Sequence, residues 1–200
     1  MFKRLKKELG INVDEDSRQL YLGKKKKDLR LLMLRPLDVI EFAEFAGTNA
    51  DDIIIWVGKT IGTDFLKKFF YEKEDWDQES LLTRKETILG SLEALILMGY
   101  GYLTGTVKKD HILISVYESA VLEEEENVMA KNLCLLYQGI FQGILEALAF
   151  EVEGEEIECV LKGGKRCTFK FDLLIEEFPD ELVDEEVESA EAISDFLGSL

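Results

Sequence analysis

The 200-residue sequence is poor in the residues that most often mark a site or a boundary: it has three cysteines, two prolines and one histidine. The histidine, His111, opens an expected strand directly after a Lys108-Lys109-Asp110 turn. That leaves no Ser/His/Asp or Cys/His arrangement to propose, so no catalytic residue is assigned. No Gly-x-Gly-x-x-Gly follows a strand, and the phosphate loop Gly-x-x-x-x-Gly-Lys-[Ser/Thr] is absent, so nucleotide binding lacks its usual support. Nowhere do about 18 apolar residues run together, which removes the expectation of a membrane span. The charged start, Met1-Phe2-Lys3-Arg4-Leu5-Lys6-Lys7, leads into no apolar run or small-residue cleavage site. A secretory signal is therefore not expected, and the expected compartment is the cytoplasm. There, Cys134, Cys159 and Cys167 read as thiols or metal ligands rather than a disulfide framework.

Positive charge is also scarce. Against 41 Asp and Glu stand 24 Lys and Arg, for a formal net charge of −17. Attraction to nucleic acid or an anionic bilayer is reversed in sign at such a charge, so neither partner is expected. The distribution is uneven: residues 1–30 form a basic head, and residues 171–200 carry acids and no base. Glu72/Glu74 and Glu176/Glu177 read as solvated acid pairs. The many Lys and Glu with few Gln suit a thermophile.

What is present patterns into one α+β unit. A short amphipathic start at 2–9 precedes a hairpin with strands at Arg18–Leu22 and Leu29–Leu34. Pro36 suits the first position, and Gly47 the position past the end, of a helix over 37–46. Asn49 or Asp51 suits the cap of a second helix, whose buried stripe includes Gly58 and Gly62 one turn apart. A third helix covers Glu79–Met98, and a hairpin follows at Gly101–Val107 and His111–Glu118. After the acidic run Glu123–Glu126 comes a long helix over Asn127–Phe150, again with glycines one turn apart at Gly139 and Gly143. A second hairpin, Ile157–Leu161 with Arg166–Leu173, precedes an acidic amphipathic helix at 180–198. The expected architecture is a four-stranded antiparallel sheet with helices on one face, plus the short N-terminal hairpin. The divisions are 1–35, 36–175 and 176–200. Two close-packing glycine pairs suggest a homodimer, because one pair can be used within the chain while the other is left for a partner helix.

The stretch Glu156-Ile157-Glu158-Cys159-Val160-Leu161-Lys162-Gly163-Gly164-Lys165-Arg166-Cys167-Thr168-Phe169 carries the chemistry. Strand alternation puts Ile157, Cys159 and Leu161 on one face, and Cys167, Phe169 and Phe171 on one face of the next strand. A three-residue loop, Lys162-Gly163-Gly164, with a left-handed glycine then sets Cys159 opposite Cys167. Such thiols can be reduced core residues, a disulfide, or two of the ligands of a zinc ion. Cys134, in the first turns of the long helix, is the natural third ligand because the helix dipole there favours a thiolate.

The run from Glu118-Ser119-Ala120 through Cys134, Gly139-Ile140-Phe141-Gln142-Gly143, Glu156-x-x-Cys159, Gly163-Gly164 and Cys167-x-Phe169 resembles the 4-vinyl reductase domain family, over roughly residues 85–173. The related domains of phenol-sensing transcriptional activators hold zinc through three cysteines and one glutamate. The resemblance therefore implies a structural zinc on Cys134, Glu156, Cys159 and Cys167. By alternation Glu156 should face away from Cys159, so coordination requires an irregularity in the chain, with Gly154-Glu155 the expected place and Glu155 or a water as substitute. The resemblance also implies a small apolar or aromatic ligand held between the helices and the sheet. Tyr102, Tyr117, Tyr137 and Phe141 are the proposed lining, in a cavity bounded by the long helix and the 101–118 hairpin. The implied function is a dimeric small-molecule sensing module acting through a separate effector. Two alternatives remain: a reductase, or its accessory, for a tetrapyrrole-like vinyl group, and a structural dimerisation adaptor similar in fold to vesicle-tethering complex subunits.

Overall fold

The computed structural model describes residues 11–14, 19–22, 29–32, 35–69, 75–117, 119, 121 and 130–184. Three strands, β1 (Ile11–Asp14), β2 (Gln19–Leu22) and β3 (Leu29–Leu31), form a small antiparallel sheet in that order. The expected hairpin is β2 with β3, and β1 adds a strand that the sequence pattern did not suggest. The amphipathic start at 2–9, the lysine turn, Glu72/Glu74 and the Glu123–Glu126 run lie outside the described residues.

Helix α1 (Pro36–Ala46) begins with proline at its first turn and stops where Gly47 takes a positive φ of 66°. A 3-10 turn over Gly47–Asn49 runs straight into α2 (Ala50–Phe69), so neither Asn49 nor Asp51 stands as a cap ahead of it. Asp51 and Asp52 in its first turn and Lys67 and Lys68 in its last instead match the helix dipole. In α3 (Leu81–Leu97) the Ser80 hydroxyl accepts from the Thr83 amide, and Gly99, at φ 90°, lets the chain turn away.

Strands β4 (Tyr102–Val107) and β5 (His111–Tyr117) form the first hairpin; α4 (Lys131–Ala147) follows, then β6 (Val152–Glu158) and β7 (Cys167–Leu173). All pairings in this second sheet are antiparallel, in the order β4-β5-β7-β6. The inner face carries Leu103, Val107, Ile112, Ile114, Phe169 and Phe171, all buried beneath the helices. The architecture is α+β, with helices on one face of a four-stranded antiparallel sheet and a separate small N-terminal sheet.

Helix α4 is held close by α2. A Cβ on Gly139 would lie 2.3 Å from the Ile55 carbonyl oxygen, and one on Gly143 would lie 2.2 Å from that of Lys59. Conversely, a Cβ on Gly58 would meet the Leu136 oxygen at 2.5 Å, and one on Gly62 the Ile140 oxygen at 2.1 Å. The contacts rise in step along both helices, so α2 and α4 run parallel with their backbones touching. Both glycine pairs are thus spent on each other inside the chain, and the inference of a partner helix from two separate pairs loses its premise. On its other side α4 is pinned to edge strand β6, where Gln138 donates to the Gly154 carbonyl at 2.8 Å and Gln142 to that of Val152 at 3.5 Å.

Beyond β7 the chain straps back over the first hairpin. The Phe178 amide donates to the Lys109 carbonyl, the Asp184 amide to that of Val107, and the Val107 amide to the Asp184 carboxylate. Glu176, expected to be solvated, takes a two-pronged bond from the buried Arg84, whose guanidinium also stacks 3.7 Å above the Phe150 ring. A buried guanidinium requires such a partner. The described part of the expected 180–198 helix is a 3-10 turn, Asp180–Leu182, and the rest lies outside the described residues.

Gly139→Ala tests the helix contact. Alanine gains about 1 kcal/mol in helix propensity, yet a Cβ that meets rigid backbone should produce a net loss of about 1–3 kcal/mol in chemical denaturation. Gly105→Ala should cost less, because its Cβ would meet only the side-chain tips of Leu92 and Leu89. Equal losses from the two variants would contradict a backbone-limited contact.

Candidate functional site

Helix α4 delivers Cys134 one turn inside its start, buried and pointing toward the end of the second β6–β7 hairpin. From that hairpin come Glu156, Cys159 and Cys167. Register decides their directions. Gly154 pairs with Phe171 and Glu156 with Phe169, but Glu158 pairs with Thr168, so one residue, Ile157, is left over as a bulge. The bulge resets alternation: Glu156 faces inward with Phe169, Ile157 is thrown out to 52% exposure, and Cys159 returns to the inner side. The irregularity expected near Gly154-Glu155 therefore lies after Glu156 rather than before it. It also corrects two further expectations. β6 spans Val152–Glu158 rather than 157–161, and Leu161 belongs to a 3-10 turn, Val160–Lys162, closed by Gly163 at a left-handed φ of 84°.

The four donor atoms, three Sγ and one carboxylate oxygen, lie within 4.8 Å of one another. The Cys159 sulfur is 3.7 Å from that of Cys134 and 4.0 Å from that of Cys167, and all three cysteines are free thiols. Burial pushes the Cys159 thiol up to about 11. A hydrogen bond to Cys167, reinforced by burial, also drives the Cys134 thiol upward, while Cys167, which accepts that bond, is held below its ordinary value. Without a cation the cluster therefore disfavours thiolate charge on Cys134 and Cys159. Glu156 Oε1 is buried and has no hydrogen-bond partner. An unpaired buried carboxylate oxygen is costly, and a metal ion shared with three sulfurs would discharge that cost. The donor set and its spacing fit such an ion.

Around the cluster, Glu158 accepts from the Lys165 amide and from Arg166, and Arg166 donates to the Tyr117 hydroxyl. These bonds tie the loop carrying Cys159 and Cys167 to the outer face of the sheet.

The four proposed pocket residues do not meet in one cavity. Tyr102 and Tyr117 face each other across β4 and β5 on the outer face, ring centroids 6.0 Å apart. Tyr137 and Phe141 are buried between α4 and the sheet, in a column from Tyr100 through Tyr137 and Phe141 to Phe169 with centroid spacings of 6.1, 6.0 and 5.5 Å. That column lies in the interval between the long helix and the sheet in which the cavity was expected. Residues 102 and 137 were grouped by aromatic character, but strand alternation sends 102 and 117 to the side away from the helices. A pocket of about 270 Å³ opens instead between α3 and edge strand β4, lined by Leu89, Leu92, Glu93, Ile96 and Tyr102 through Gly105. Leu89, Leu92, Glu93 and Ile96 recur at three- and four-residue spacing, the periodic signal that could have found this wall. His111 sits beside Asp110, its Nδ1 2.7 Å from the carboxylate, away from both features.

The metal reading of Glu156 makes a sign-changing prediction. In chelator, Glu156→Met should leave the protein as stable or more stable, since it removes an unpartnered buried oxygen worth about 1–3 kcal/mol. With divalent metal present, the same variant should be less stable than the parent. Thermal denaturation under both conditions reads this directly, and a loss under both would mean the oxygen is satisfied without metal.

No family model matches the chain, nor does any curated protein sequence. Its fold is similar to a solved structure of the phenol-responsive sensory domain of the transcription activator PoxR with phenol, at TM-score 0.65 and 16% identity, covering 97% of this chain and 94% of that one. It is also similar to an H-NOX protein from Shewanella oneidensis in the Fe(II)NO ligation state, at TM-score 0.51 and 9% identity over 76% of this chain and 83% of that one. A solution structure of an H-NOX domain from the same organism gives TM-score 0.50 at 11% identity, covering 70% and 74%. At these identities the likeness is one of fold.

Proposed function

We propose that the chain is a small-molecule sensing module whose C-terminal hairpin is locked to α4 by a structural zinc ion. The observation that carries this is the convergence of Cys134, Glu156, Cys159 and Cys167, with an otherwise orphaned carboxylate oxygen among the donors. A tetrahedral ion with zinc–sulfur bonds of about 2.3 Å keeps its sulfurs about 3.8 Å apart. The 3.7 and 4.0 Å separations match that spacing. Three thiolates and a carboxylate close the tetrahedron, leaving no open position at which a water could be activated, so the metal is structural rather than hydrolytic. Cys134, Cys159 and Cys167 with Glu156 would hold it, and it would supply a cross-link between the helical layer and the sheet.

The sensing part of the reading is supported by the fold shared with the phenol-responsive domain and by a pocket at the α3–β4 edge. A homodimer is supported by three large aromatic side chains left open on the helices, Phe42 at 60%, Phe45 at 91% and Trp56 at 66% exposure. Phe42 and Phe45 stand three residues apart on one side of α1, and a contiguous apolar patch of that kind commonly marks a protein contact. A separate effector would then read the ligand state.

Purified chain should carry one zinc by native mass spectrometry, and Cys159→Ser should lose it together with several kcal/mol of stability. Because zinc must displace protons from Cys134 and Cys159, both held above their ordinary values, its affinity rises with pH. Each displaced proton is worth about tenfold per pH unit, which chelator competition at pH 6.5 and 7.5 would measure. An affinity independent of pH, or metal-free protein of full stability, would remove the zinc centre. Sedimentation at twice 22.9 kDa is the expected result for the dimer, and a monomer at micromolar concentration would exclude it.

A further inference from the structure

We propose that the pocket between α3 and β4 binds a small apolar molecule carrying a primary amine, anchored by the Glu93 carboxylate; this rests on the sensing reading above and gives it a ligand class. Leu89, Leu92, Glu93 and Ile96 form one stripe of α3, and Tyr102, Leu103, Thr104 and Gly105 form the facing strand. Three of the four stripe positions are aliphatic, and the fourth holds a carboxylate. Gly105 allows the stripe to lie close, since a Cβ there would come within 2.8 Å of the Leu92 Cδ1.

Glu93 is the unusual member. Its Oε2 is buried without a hydrogen-bond partner, and none of the other lining residues carries a charge. Burial pushes its carboxyl above the ordinary value, against a smaller opposing pull from the chain's own terminal ammonium, which makes no hydrogen bond to Oε2. A buried acceptor left unmet requires an explanation, and in a pocket wall the economical one is a donor brought by a ligand. An ammonium group meets the need best, because it offers both donor and charge, and charge-assisted bonds are roughly twice as strong as neutral ones. The protein's net charge of −17 also raises the local concentration of cations over anions. A volume of about 270 Å³ sits near the small end of ligand sites and suits one ring with a short arm.

The probes are 2-phenylethylamine and its neutral counterpart 2-phenylethanol, titrated into the full chain with methyl NMR and calorimetry. The amine should perturb the methyls of Leu89, Leu92, Ile96 and Leu103 and bind about tenfold or more tightly than the alcohol. Glu93→Gln, nearly isosteric, should erase that preference, and Ile96→Trp, which fills the pocket, should abolish binding of both. A preference that survives Glu93→Gln, or an amine that leaves those methyls unmoved, overturns the assignment. If the alcohol binds there as well as the amine, the amine anchor is wrong while the small-molecule reading stands. If neither probe nor phenol moves any methyl in the protein, both readings fall together.

Discussion

Everything near the site depends on two helix backbones being allowed to touch. Had α2 and α4 carried ordinary side chains at 58, 62, 139 and 143, the helices would separate by the width of those side chains. Cys134, on the opposite flank of α4 from those glycines, would move with its helix relative to the hairpin. Its sulfur now lies 3.7 Å from that of Cys159, a separation that leaves no room for such a shift. The glutamines of α4 work from the other side, meeting carbonyls of edge strand β6 that would otherwise be open to another chain. Helix α4 is thus clamped between a backbone contact and a sheet edge, and the cysteine cluster forms where the clamp meets the hairpin.

Much of this was legible in the sequence because it follows from local rules. Pro36 and Gly47 bound α1, Gly99 ends α3, and apolar alternation marks β4, β5 and β7, whereas β6, with the sequence VEGEEIE, carries no such alternation and begins earlier in the chain than expected. The glycine stripes announced close approach, but a single sequence does not say what approaches, and the two stripes turned out to be each other's partner. Glu156 shows where period-two reasoning fails. Strict alternation sends it away from Cys159, and only the bulge at Ile157, which no residue preference announces, brings both to one side. The same alternation, correctly applied, would have kept Tyr102 and Tyr117 out of an interior pocket. Glu176 was misread because an acid in an acidic tail looks solvated until its partner Arg84, far away in sequence, is known.

Three thiols and a carboxylate in one interior cluster form a combination that a core does not tolerate by itself. Neutral thiols pack as small hydrophobes, but Glu156 has no neutral hydrophobic role, and alanine or an aliphatic residue would be cheaper there. Reduced core thiols account for the cysteines and offer Glu156 one weak donor, the Cys159 thiol, while its Oε1 stays unpaired; a cation would engage all four residues. The unpaired Oε1 of the glutamate, more than the cysteines that first draw the eye, is what supports the proposed metal.

The cluster and the α3–β4 pocket are also neighbours in register. Leu103 in the pocket wall pairs with Val116, and Val116 pairs with Cys167, so one inner-face row runs from pocket to cluster across two strand spacings, about 10 Å. On the outer face a second row follows it: Tyr102 packs on Tyr117, whose hydroxyl accepts from Arg166, held in turn by Glu158 beside the cysteine loop. A cation at the cluster would restrain that loop, and through Arg166 and Tyr117 it would bear on Tyr102, the tyrosine of the pair that lines the pocket. An occupant that displaces Tyr102 must work against the same chain of contacts. Coupling of this kind is reciprocal by thermodynamic necessity: any factor by which metal strengthens ligand binding is the factor by which ligand strengthens metal binding. A structural ion on these four residues would in this way bear on a ligand at the α3–β4 pocket without an open coordination position of its own.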